Sequence, residues 1–114
     1  MSHVATEMVL LSQMPVTPEV LDRAYRAMGM QGQVVELRGG EFTSCLSAEG
    51  SKLLLVCRAK RLRDVEEASA AVEDLPPGVG LWTEMLVPFE DTGVGRRLAE
   101  SIASEVDGLL RERV

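Results

Sequence analysis

Three β-rich segments, Val34 to Arg38, Phe42 to Ser47 and Lys52 to Arg58, follow one another with almost no chain between them, and this constrains the fold more than any other feature. The connections, Gly39-Gly40 and Glu49-Gly50, carry hairpin turn residues. Links this short join antiparallel neighbours, because a parallel crossover needs a dozen residues or more. An antiparallel meander is therefore expected, and a doubly wound parallel sheet is excluded. In its third strand Leu53, Leu54, Leu55, Val56 and Cys57 are apolar without alternation, which predicts a central position covered on both faces.

The flanking segments fill in the rest. Ala5 to Leu11 is a short apolar run ending before Met14-Pro15 and reads as a first strand. Thr17-Pro18-Glu19 supplies a capping hydroxyl, a first-turn proline and an acid at the positive end of a helix. Val20, Leu21, Ala24, Ala27 and Met28 then recur at helical spacing, and Gly29 and Gly32 bracket the stop. A second helix is predicted from Asp64, with Val65, Ala68, Ala71 and Val72 as its apolar stripe, ended by Leu75-Pro76-Pro77-Gly78. Leu81 to Phe89 alternates as a strand, with Leu81, Thr83, Met85, Val87 and Phe89 on one face and Trp82, Glu84, Leu86 and Pro88 on the other. A last helix opens near Asp91-Thr92-Gly93, presents Leu98, Ile102, Val106, Leu109 and Leu110 on one stripe, and runs nearly to the C-terminus.

The order β-α-β-β-β-α-β-α predicts one α+β domain over residues 1–114: a two-layer sandwich with a mainly antiparallel sheet of about five strands and three helices. With helices on one face only, the other face would show Leu53 and Leu55, or else Leu54 and Val56, together with Trp82 and Leu86, and Val9 and Leu11 are candidates to join them. A patch of that size calls for a partner.

Charge and titratable content narrow the function. At 114 residues the chain is long enough for its own apolar core, and its net charge of -6 repels polyphosphate, so neither nucleic acid nor an anionic membrane is an expected partner. There is no apolar run of membrane-spanning length, and the N-terminal Met1-Ser2-His3-Val4 has no signal-peptide design, so a cytoplasmic location is expected. His3 is the sole histidine, which removes Ser-His and Cys-His catalysis and multi-histidine metal sites. No catalytic residue, metal or cofactor is assigned. Cys45 and Cys57 have neither redox nor metal spacing and read as small apolar residues of the sheet.

Four features remain as candidates. Trp82, Glu84, Leu86, Leu53 and Leu55 make up the expected interface. Gly93, Gly95, Arg96 and Arg97 at the start of the last helix are a weak anion-binding candidate, since they lack dinucleotide and P-loop spacing and follow Glu90 and Asp91. Glu84 beside Trp82 is the carboxylate with the best case for acid-base chemistry, although pairing with Arg38 or Arg58 explains it more simply. Arg58, Lys60, Arg61 and Arg63 form a basic run that suits a solvated edge or a docking patch for an acidic partner.

From the first helix onward the element order resembles that of the small acidic chaperones of bacterial protein secretion and the related YbjN-like domains. The resemblance implies a dimer that binds extended client segments. The leading expectation is thus a non-catalytic, homodimeric interaction module that binds or chaperones a protein client. Two alternatives stand beside it. One is a small-molecule-binding protein or enzyme with a pocket between sheet and last helix, lined by Trp82, Glu84, Tyr25 and Arg96. The other is an acidic inhibitor of the immunity or antitoxin type.

Overall fold

The computed structural model describes residues 6–61, 80–88 and 93–112. β1 (Thr6–Ser12) leads into α1 (Pro18–Ala27), and the meander follows as β2 (Gly32–Leu37), β3 (Phe42–Ser47) and β4 (Lys52–Cys57). A two-residue strand, β5 (Lys60–Arg61), comes next, then β6 (Leu81–Val87), α2 (Val94–Glu105) and β7 (Leu109–Glu112). The strands form one sheet in the order β2-β3-β4-β6-β1-β7, with β5 pairing to β6 beyond the end of β4. Every pairing is antiparallel.

The α+β class and the meander match the sequence reading, and two details, the strand count and the end of the last helix, differ. The sheet has seven strands rather than about five. Among the described residues there are two helices; the helix predicted from Asp64 to Leu75 lies outside them. The last helix does not run to the C-terminus. It ends at Glu105, Asp107 takes a left-handed conformation at φ 52, and Gly108 N–H closes the turn on the Ala103 carbonyl at 2.8 Å. Gly108 then passes so close to β1 that a Cβ would sit 2.8 Å from the Leu11 carbonyl oxygen. The following residues become β7, in which Leu110 pairs with Leu10 of β1.

α1 begins as its residues dictate: Val20 N–H donates to the Thr17 hydroxyl at 3.2 Å, with Pro18 in the first turn. Its buried face, Val20, Leu21, Ala24 and Tyr25, meets the buried face of α2, centred on Leu98, Ala99 and Ile102. Ser101 Oγ donates to the Ala24 carbonyl at 2.9 Å, and Arg23 pairs with Glu105 at 3.2 Å, fastening the two helices together. Both lie on the sheet face carrying Met8, Leu10, Cys45, Leu54, Val56 and Met85. Alternation places Val9, Leu11, Trp82, Glu84, Leu86 and Leu55 on the opposite face.

Candidate functional site

On the face away from the helices, the expected interface residues divide into two groups. Trp82 is only 7% exposed within the single chain, and Val9 and Leu11 beside it are buried as well. Leu53 is buried with the helix-side core, where a β-bulge between Cys45 and Leu46 interrupts the register opposite it. Leu55, Leu86 and Glu84 are half-buried. The tryptophan and Leu53 are therefore held by the chain's own packing, while Leu55 and Leu86 form part of a half-buried apolar strip.

That strip continues to the edge of the sheet, where sequence reasoning had placed no site. β2 is a terminal strand and all six of its residues are exposed. Val34, Val35 and Leu37 are 41%, 42% and 44% exposed, which makes them three of the five large exposed apolar residues among those described. Val35 and Leu37 share the face opposite α1 and α2 with half-buried Phe42 and Leu55, whereas Val34 and Glu36 look toward the side of those two helices. The signal was present in the pair Val34-Val35 on a strand next to a glycine-rich end. What the sequence did not contain was the information that β2 ends the sheet.

The β2–β3 connection is braced from β4. Arg38 and the two glycines after it form a short 3-10 turn in which Arg38 itself has φ 52. Arg58 donates from its guanidinium to the Gly39 carbonyl at 3.0 Å, and the Arg38 guanidinium lies 5.9 Å from the centroid of the Phe42 ring. Arg58 and Arg38 are thus engaged in holding the hairpin.

The pocket proposed between sheet and last helix does not assemble. Tyr25 is buried on the helix side with its hydroxyl donating to the Leu46 carbonyl at 2.9 Å, while Trp82 and Glu84 are on the other face. Arg96 forms an ion pair with Glu112 of β7. A cleft of about 400 Å³ lies elsewhere, against the start of α1. Pro15, Val16, Pro18 and Leu21 form its outer wall; Val34, Thr43, Val56 and Thr83 form its floor; Glu36, Arg58 and Arg61 bring charge to it. The cleft falls where β4 leaves β6: β4 pairs with Leu86 and Met85, β5 with Trp82 and Leu81, and the break lies opposite Thr83.

At the start of α2, Gly93 caps the helix at φ 101 without a side-chain cap, Gly95 is buried, and Arg97 is exposed. Arg96, engaged with Glu112, connects this end of the helix to β7. Cys45 and Cys57 are both free thiols. They lie on adjacent strands, but Cys45 is opposite Leu54 and Cys57 opposite Phe42, so they point to opposite faces about 10 Å apart along the strands. Burial pushes the Cys45 thiol up to about 11, and burial followed by the nearby Glu84 carboxylate raises that of Cys57. Among the described residues no cluster of His, Cys, Asp or Glu could hold a metal ion, and no helix is long and apolar enough to cross a membrane.

No protein-family model matches the chain, and no curated protein or solved structure matches it.

Proposed function

We propose that the chain is a non-catalytic interaction module that pairs with a second copy of itself along β2. The observation that carries this reading is the exposure of all six β2 residues at the sheet edge, with Val34, Val35 and Leu37 open to solvent. Edge strands are normally protected by charge, proline, bulges or brevity, and β2 has one charged residue, Glu36, and no proline. An antiparallel pairing about Val35 sets each Val35 against its copy, Leu37 against Gln33 and Glu36 against Val34. The lone carboxylate then avoids its symmetry mate, and the apolar strip of Val35, Leu37, Phe42 and Leu55 continues into that of the partner.

Amide hydrogen exchange across a protein dilution series tests the proposal. Outward-facing amides within 32–37 are expected to exchange more slowly as concentration rises, while amides in β1 and β6 stay constant. Exchange in β2 that ignores concentration removes the reading.

A further inference from the structure

The cleft beside α1 contains a feature that a packing defect does not explain. Thr83 is 1% exposed, and its hydroxyl oxygen is the one buried side-chain polar atom among the described residues without a hydrogen-bond partner. Leaving a buried hydroxyl unpaired is costly, and a valine of the same shape would fill the position without that cost. Thr83 lines the cleft at the interruption between the β4 and β5 pairings, where residues 57–59 pass Glu84 and Thr83 without a ladder pairing, while on its other side Thr83 pairs with Leu10 of β1. Its surroundings are chemically mixed in a particular way. Leu21, Val34, Val56 and Leu81 are apolar; Arg58 and Arg61 are exposed cations at the rim; Glu36 is an exposed anion of the same rim. Arg58 already donates to Gly39, but among the described residues Arg61 has no ion-pair partner.

We infer that this cleft binds a small zwitterion with an apolar side chain, the chemical class of a free aliphatic α-amino acid. The ligand's carboxylate is met by Arg61 with Arg58, its ammonium group by Glu36, its aliphatic side chain by Leu21 and Val56, and the Thr83 hydroxyl gains the hydrogen bond it lacks. A plain carboxylate would leave Glu36 as a repulsive neighbour, and a plain amine would do the same for the two arginines; only a ligand carrying both charges satisfies the rim. A volume of about 400 Å³ lies in the range of small-ligand sites. The cleft is on the helix side of the sheet and shares Val34 and Glu36 with β2, so the site borders the edge along which the chain is proposed to pair.

Leucine, titrated into the ¹⁵N-labelled full chain, is the probe, with 4-methylpentanoate and 3-methylbutylamine as versions lacking one charge each. Leucine is expected to shift the amides of Thr43, Val56 and Thr83 in a saturable way, and each single-charge analogue to bind at least tenfold more weakly. Thr83→Val is expected to weaken leucine binding roughly three- to tenfold without lowering the melting temperature, and Arg61→Ala by tenfold or more. No shift at these amides up to millimolar leucine overturns the inference. So does equal binding by 4-methylpentanoate, or leucine binding that neither variant alters.

Discussion

Tyr25 shows how a single residue can hold two layers together. Its ring lies so close to Gly32, the first residue of β2, that a Cβ at that position would meet it, and its hydroxyl reaches across to the Leu46 carbonyl. Burial pushes its phenol above the usual range, beside the thiol of Cys45. Tyr25→Phe leaves that carbonyl without its donor and is expected to cost about 1–3 kcal/mol in urea unfolding, with the same overall fold by circular dichroism. The Cys45 thiol supplies a pH signature. Its ordinary value of 9.0 applies in the unfolded chain, and in the fold it is pushed up to about 11, so the unfolded state loses its proton first. The stabilisation is complete below pH 9 and is lost as pH rises toward 11. Urea midpoints are expected to hold from neutral pH to about 9 and then fall, by on the order of 2 kcal/mol at pH 11, with a smaller fall in Cys45→Ala. One sequence-based alternative had grouped Tyr25 with Trp82 and Glu84, which lie on the opposite sheet face, since nothing in a helical stripe tells which strand carbonyl a phenol will reach.

Single elements were legible where local chemistry decides them. The cap at Thr17, the turns at Gly39-Gly40 and Glu49-Gly50, and the alternation from Leu81 to Val87 all form as their residues require. The end of α2 was missed because Leu109 and Leu110 continue its apolar spacing, and spacing alone does not separate a fourth turn from a new strand. The deciding signal was Asp107-Gly108, a turn dipeptide inside the apparent stripe. Its consequence is testable. Gly108→Ala places a methyl group against the Leu11 carbonyl and is expected to destabilise the fold by roughly 1–3 kcal/mol, with the largest rise in amide exchange in β7. A variant as stable as the wild type, with β7 still protected, would mean that the close approach is not required.

The whole molecule is decided by strand order, which depends on long-range pairing that no single segment encodes. The sequence implied an apolar sheet face opposite its helices, and among the described residues the strand order divides that face between buried and exposed side chains. Trp82 falls inside the sheet between β5 and β1 and is buried, whereas β2 falls at the edge and is left open. A candidate interface chosen by side-chain size therefore moved to one chosen by position. The cleft escaped sequence reading for the same reason, because Glu36, Arg61 and Thr83 come from three strands and line one cleft only in the assembled sheet.

The central claim, self-pairing along β2, is tested most directly by the solution mass from light scattering across a concentration range, measured for the wild type and for Val35→Lys. A lysine set against its own copy in the middle of the pairing is expected to raise the dimer dissociation constant by roughly a hundredfold, equivalent to about 3 kcal/mol, while the exposed position leaves the fold intact. The expected result is a wild-type dimer and a folded Val35→Lys monomer at the same concentration. A wild type that stays monomeric throughout, or a dimer that Val35→Lys leaves unchanged, would contradict the account.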